Sequence, residues 1–217
     1  MSPPAGLRER VPLAPLTTLG IGGPARWFLE ATTVGALAEG LAWAVEESLP
    51  LFVLGGGSNL LIADEGYRGL VLRVALRGVD AEPSDDAVLL RAAAGEDWEP
   101  LVEQAVARGW AGVECLSGIP GSVGATPIQN VGAYGQEVAE TIVAVDALSR
   151  ADGGVRRFAG EECGFAYRDS VFKRGERDRW VIVGVTYRLR PGAPAAVRYP
   201  ELARHLAAQG DEVDLAR

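Results

Sequence analysis

The sequence predicts an α+β protein made of two consecutive units, each running strand, helix, glycine-rich loop. Apolar residues recur at helical spacing in two stretches, residues 34–45 and 98–106, and each follows a short apolar run of strand character. The polar segment 80–86, which contains Pro83, lies between them and reads as a boundary or a hairpin. Units are therefore expected at residues 1–75 and 76–190, with residues 191–217 beginning something further.

Taken in order, residues 2–15 read as a proline-containing arm, expected to be partly mobile. A glycine-rich turn at 17–25 leads into a strand at 26–30, and Arg26 beside it is a candidate phosphate neighbour or a plain surface residue. Thr32 or Thr33 suits an N-cap, and Val34, Leu37, Ala38, Leu41 and Val45 give the helix one apolar face. Pro50 ends that segment. Residues 51–54 read as a buried strand, 60–62 as the start of another, and 69–74 as a third. In the second unit, residues 88–94 form a strand. Asp97 is placed to cap a helix whose apolar face is Trp98, Leu101, Val102, Ala105 and Val106, and Gly109 is placed to close it. Residues 180–189 read as an alternating strand and 191–196 as a linker. Pro200 opens a short helix, 201–209, which Gly210 closes.

Composition narrows the partners. A formal net charge of -8 argues against general nucleic-acid binding. No run of about 18 apolar residues is present to span a membrane. The N-terminal ten residues lack the apolar region of a secretory signal, so a cytoplasmic protein is expected. Cys115 and Cys163 have neither metal-ligand spacing nor a disulfide framework, and read as reduced, packed thiols. No metal is expected, and a monomer is the default. His205, the one histidine, falls on the last helix, and Lys173 is the one lysine beside twenty arginines.

Two loops carry the chemistry. The run Leu54-Gly55-Gly56-Gly57-Ser58-Asn59-Leu60 sacrifices backbone entropy at three successive glycines. Amide groups brought close to an anion such as a diphosphate would account for it, with Ser58 and Asn59 adding side-chain donors. The loop lacks the lysine of a Walker motif, and the turn Asp64-Glu65-Gly66 comes too soon for the helix of a dinucleotide fingerprint. Taken alone it suits a packed turn equally well. The second loop, within residues 112–138, is rich in glycine, proline and small side chains, and almost uncharged before Glu137. A solvated linker would carry more charge. A planar ligand against this backbone, with Gln129 and Asn130 supplying amides, or a pair of tight turns in a β-rich core, are the two readings.

Together the motifs Gly55-Gly56-Gly57-Ser58-Asn59, Ser117-Gly118-Ile119-Pro120-Gly121, Gln129-Asn130-Val131-Gly132-Ala133-Tyr134-Gly135 and Tyr167-Arg168-Asp169-Ser170-Val171-Phe172-Lys173 resemble, in order, those of the UDP-N-acetylenolpyruvoylglucosamine reductases. The resemblance runs from about Pro15 to Arg190. It implies a two-part FAD-binding region of the vanillyl-alcohol-oxidase type followed by a substrate-binding domain. It implies non-covalent FAD, NADPH as reductant, and a UDP-sugar enolpyruvyl ether as the group reduced. The implied cofactor contacts are Leu54 to Leu60, Ile119, Pro120, Gly121, Gly124, Ala125, Pro127, Gln129, Asn130, Gly132, Ala133, Tyr134 and Val183, with Ile182 a further neighbour. Arg168 is implied as catalytic, its guanidinium suited to a carboxylate and to the enolate-like charge that develops on it; an ion pair with Asp169 or Glu162 is the alternative. Tyr167, Lys173 and Tyr134 are implied in substrate binding, and Tyr199 as a cover or a packing residue.

The family's proton-donating serine stretch and late glutamate have no counterpart here, so the chain reads as truncated within the third domain. Ser170 is not the family's donor. An FAD-dependent alcohol or lactone oxidase of the same fold, and a non-enzymatic binding module, stand as the alternatives.

Overall fold

In the computed structural model, residues 2–175, 178–209 and 215–216 are described. The expected closure of the last helix at Gly210 lies outside them. The first unit is a four-stranded sheet, ordered β1-β2-β4-β3, from β1 (Arg8–Pro12), β2 (Pro24–Ala31), β3 (Leu51–Leu54) and β4 (Tyr67–Val74). β2 and β3 both run parallel to β4, and α1 (Val34–Glu46) makes the crossover between them. Thr33 caps α1, its hydroxyl accepting the Ala36 amide at 3.1 Å. Gly40 lets the helix sit close on the sheet, since a Cβ there would fall 2.8 Å from Leu29.

Several expectations change here. The N-terminal arm is not loose: β1 pairs antiparallel along β2 and edges the sheet. Residues 60–62 form no strand, because the chain from the glycine triplet to Gly66 is held by turns, with the Gly23 and Gly66 amides both donating to the Ala63 carbonyl at 2.9 Å. The buried face of α1 is Leu37, Gly40, Leu41, Trp43 and Ala44, whereas Val45 is exposed. Trp43 meets Trp27 edge-on at 5.5 Å and so draws the helix round.

The second unit begins with a hairpin, β5 (Val79–Ser84) and β6 (Ala87–Ala93), so the polar segment is a turn at Asp85-Asp86 within a strand pair. α2 (Trp98–Ala107) follows, then β7 (Trp110–Ala111), β8 (Gly132–Ala133), β9 (Gln136–Glu137), β10 (Ile142–Ser149), β11 (Val155–Ala159) and β12 (Trp180–Pro191). The second sheet is antiparallel, ordered β11-β10-β12-β6-β5. Asp97 stands at the N-cap of α2 without a capping bond, its carboxylate taken by Arg77 at 3.2 Å. Gly109 closes the helix in the left-handed region, φ +69°. β12 does not alternate: Val181, Ile182 and Val183 are all buried, since a central strand is covered on both faces. Residues 192–199 form no strand or helix, and α3 (Pro200–Gln209) ends the described elements.

One large core joins both sheets, and a small one (Leu13, Ala25, Phe28, Leu54, Val71) fills the far side of the first. Deep in the large core, the Tyr187 hydroxyl lies 2.7 Å from Thr126 Oγ1 and Trp98 rests on the Tyr187 ring at 5.7 Å. These contacts fix α2 and the second glycine loop to β12.

Gly57 is the tightest glycine of the first loop: φ is +69°, and a Cβ would fall 2.0 Å from the Leu16 carbonyl oxygen. Gly57→Ala is expected to lower the stability of the ligand-free protein by about 3 kcal/mol, combining left-handed strain with a backbone clash. Gly118→Ala meets the same backbone region (φ +77°) but open space, and is expected to cost only about 1 kcal/mol. Urea unfolding midpoints of the two variants check the order.

Candidate active site

β3 runs directly into the glycine triplet, and α2 presents the second loop opposite it. The two loops meet through bare backbone. A Cβ on Gly56 would lie 2.9 Å from Gly121 Cα, and one on Gly55 would lie 2.9 Å from Ser122 Oγ. Gly124 presses on Ala94 in the same way, 2.7 Å from Cβ to Cβ. The glycines therefore let the loops close on each other, which is the packed-turn reading of the sequence and is compatible with a ligand beside them.

The first turn of α2 fastens the second loop at several points. The Trp98 indole N–H donates to the Leu116 carbonyl at 2.9 Å, and the Trp98 amide to the Gly121 carbonyl at 3.0 Å. Glu99 accepts from the Ser117 hydroxyl and from the Gly118 amide, both at 2.5 Å. Sequence reasoning missed Glu99, because a carboxylate in a helix's first turn ordinarily signifies no more than a favourable dipole interaction.

A cleft opens between the sheets beside this contact, in two adjoining parts of about 350 and 470 Å³ that share Phe52, Val53, Gly55, Ser122, Ala125, Ile128 and Lys173. The smaller part is lined by Gly55, Gly56, Gly57, Ser58, Asn59, Leu60, Ile119, Pro120, Gly121, Ala125 and Gln129. Among the described residues, Lys173 is its one charged lining residue. The larger part adds Gly124, Arg150, Phe172, Asp178, Trp180 and Ile182. Among the described residues, the amides of Gly56, Gly57, Ser58 and Asn59 donate to no other group, although Gly57 is buried. Four donor amides and an ammonium, with no carboxylate among the described residues that line the smaller part, fit the diphosphate of a dinucleotide.

Other expected contacts lie elsewhere. Leu54 is fully buried in the small core. Val183 is buried in the large one, its carbonyl accepting the Ala94 amide at 3.1 Å; Val181 and Ile182 reach the cleft instead. Pro127 is buried and lines neither part, and Arg26 is exposed away from both. Gly132, Ala133 and Tyr134 belong to the short β8–β9 hairpin and also line neither part. Tyr134 is exposed and meets Tyr199 edge-on at 5.6 Å.

Asn130, 1% exposed, is a structural hub. Its Nδ2 donates to Glu137 at 2.7 Å and to the Ala166 carbonyl at 3.0 Å, while its Oδ1 accepts the Ala139 amide at 3.1 Å. It ties this hairpin to the Arg168 turn. That turn is closed by reciprocal 3.0 Å bonds between Ala166 and Asp169, with Arg168 at φ +52°. The Arg168 guanidinium donates to the carbonyls of Asn130 (3.3 Å) and Gly132, lies 3.7 Å from the Glu137 carboxylate, and sits over the exposed Tyr167 ring at 5.2 Å. The carboxylates expected as its structural alternatives are engaged elsewhere, Asp169 with Arg174 at 2.5 Å and Glu162 with Arg156 at 2.8 Å. Lys173 Nζ donates to the Arg168 carbonyl at 2.8 Å, linking the turn to the cleft. Ser170 is fully buried and donates to the Ile128 carbonyl at 2.6 Å.

Burial pushes the Cys163 thiol up to about 12, with Glu162 adding to the rise, and burial beside Glu114 also raises Cys115. Neither is poised as a thiolate. Among the described residues, no group of three His, Cys, Asp or Glu side chains is placed to hold a metal ion.

Residues 25–159 match the family of FAD binding domains. The chain is 50% identical over 208 residues to UDP-N-acetylenolpyruvoylglucosamine reductase of Salinispora arenicola, covering 94% of this chain and 57% of that protein. It is 48% identical over 211 residues to the reductase of Thermobifida fusca, covering 96% and 59%. The crystal structure of the Thermus caldophilus reductase superposes with a TM-score of 0.70 at 32% identity, covering 96% of this chain and 72% of that one. The chain belongs to the UDP-N-acetylenolpyruvoylglucosamine reductase family. A solvent-stable cholesterol oxidase, 16% identical with a TM-score of 0.60 over 86% of this chain and 37% of its own, shares the fold. The chain spans a little over half the length of the curated reductases it matches.

As a member of that family, the chain is expected to lose flavin when Glu99 is removed. Glu99→Ala should weaken FAD binding about tenfold, the scale of losing hydrogen bonds to a charged acceptor, with the melting temperature of the ligand-free protein shifted by only a few degrees. Flavin-fluorescence titration and thermal denaturation separate the two effects.

Proposed function

We propose that this chain binds FAD non-covalently in the inter-sheet cleft and serves the NADPH-dependent reduction of UDP-N-acetylglucosamine enolpyruvate to UDP-N-acetylmuramate, a step of peptidoglycan precursor synthesis. The observation that carries this reading is the junction at Lys173, which lines both parts of the cleft and is bonded to the backbone of Arg168. It joins the backbone of the arginine turn to a cavity suited to a dinucleotide, while the Arg168 guanidinium, which lines neither part of that cavity, is turned to the Asn130 and Gly132 carbonyls. Neither part of the cleft is lined by a histidine or cysteine, which favours non-covalent attachment.

FAD held in the cleft would supply hydride chemistry between NADPH and the vinyl carbon of the substrate. The protein's part is positional and electrostatic. The amides from Gly56 to Asn59 and the Lys173 ammonium hold the diphosphate. Arg168, gripped from behind by two carbonyls, keeps its remaining N–H groups for the substrate carboxylate and for the negative charge that grows on it. Glu137 keeps that guanidinium in place without fully neutralising it. Tyr167 and Tyr134, both exposed near this group, offer surfaces for the sugar nucleotide. A soluble, diffusible substrate suits a cytoplasmic monomer without nucleic-acid or membrane partners, in keeping with a net charge of -8 and with the absence, among the described residues, of any helix long and apolar enough to cross a membrane.

FAD-loaded protein, reduced by NADPH without oxygen, is expected to be reoxidised by the enolpyruvyl sugar nucleotide, slowly because the family's proton-donating serine has no counterpart in these residues, and not by alcohols or lactones. Bleaching that no enolpyruvyl compound reverses would overturn the reading. Arg168→Ala should slow reoxidation at least about 100-fold, the scale of losing one preorganised charge-stabilising donor, while FAD uptake stays unchanged. Stopped-flow absorbance of the flavin measures both.

A further inference from the structure

A second cavity, of about 330 Å³, lies away from the flavin cleft between β7, β9 and the end of β12, and is lined by three arginines, Arg188, Arg190 and Arg198, against one carboxylate, Glu140. In a chain with an excess of acidic residues this is a local reversal of charge. Arg198 is held by Glu140 at 2.8 Å, and Arg188 by Asp86, outside the cavity, at 2.5 Å. The Arg190 guanidinium has no hydrogen-bond or ion-pair partner among the described residues, its backbone alone being paired, with Ala111. The second observation is Gln136, which lines the same cavity at only 2% exposure. Its Oε1 accepts the Cys115 amide at 3.0 Å, which fixes the side chain, while its Nε2 donates to nothing among the described residues. Among the described residues no side-chain nitrogen or oxygen shut off from solvent lacks a partner, so this nitrogen keeps contact with solvent, and the cavity is the open space that Gln136 lines.

We propose that this cavity is an anion site for a phosphate group. The free guanidinium of Arg190 and the Gln136 carboxamide supply its donors, and the two anchored arginines supply its field. Fork-shaped guanidinium donors match phosphate oxygens well, and an amide fixed in a nearly closed wall adds direction without charge. A free phosphate ester and the diphosphate of a nucleotide carry the same recognisable chemistry. The site shares no lining residue with the flavin cleft, so it stands or falls independently of the cofactor assignment.

The test is calorimetric titration of the FAD-loaded chain with inorganic pyrophosphate and, separately, with uridine diphosphate, alongside the Arg190→Gln and Gln136→Glu variants. Gln136→Glu keeps the acceptor for the Cys115 amide and places a negative charge on the cavity wall. Saturable pyrophosphate binding is expected, weakened at least about fivefold in both variants, with FAD affinity unchanged in each. Uridine diphosphate binding tighter than pyrophosphate, with the same losses, identifies a nucleotide as the source; equal affinities identify a simple phosphate. Absence of saturable binding, or binding that neither variant weakens, overturns the proposal. Retention of flavin by both variants excludes misfolding as the cause of a loss.

Discussion

Contact between two stretches of bare backbone, Gly56 on Gly121, sets the geometry of everything around it. A side chain at Gly56 would push the two loops apart and open the cleft, and Gly121 holds a backbone conformation, φ +132°, that residues with a side chain rarely adopt. The loops come from different sheets, so this contact also determines how the two units are seated. Each loop is secured from its own side. Gly57 rests on the backbone at Leu16 in the first unit, and the Trp98–Glu99 turn grips residues 116–121 in the second. A ligand lying along this seam meets amides whose positions are already fixed, so little ordering accompanies its binding.

The arginine turn is built on the same plan with different parts. Arg168 occupies a left-handed backbone position that glycine would adopt more easily. The surroundings hold it there through the Ala166–Asp169 bonds, the Asn130 hub and the Lys173 bond. Strain of this kind persists where the neighbours over-determine a conformation, and it is common at sites with a chemical task. Asn130 itself has positive φ, so the two strained residues brace one another across the Ala166 carbonyl.

Much of this was legible in the chain. The strand–helix–strand order of the first unit, a threonine cap on α1 and Gly109 at the end of α2 follow from local patterns, and the family resemblance implied the two glycine loops as walls of one cleft. What was not legible depends on tertiary neighbours. Nothing in residues 8–12 marks an edge strand until β2 is there to pair with it. Val45 keeps the helical spacing of its face, but Trp43 and Gly40 turn the helix so that it points to water. Asn130 reads as a ligand-facing amide, and Glu137 only as the end of an uncharged run; the fold alone brings Ala166 and Arg168 within their reach. A motif marks which residues matter more reliably than it marks which surface they face.

The solitary lysine has a practical corollary. Twenty basic side chains are guanidiniums, and the one aliphatic amine stands where the cavity wall joins the arginine turn. Isotope enrichment of lysine alone would therefore place a single resonance at that junction, and an acylating probe would find one side-chain amine in the whole polypeptide. Nature's bias toward arginine has left the molecule with a built-in, uniquely addressable reporter position.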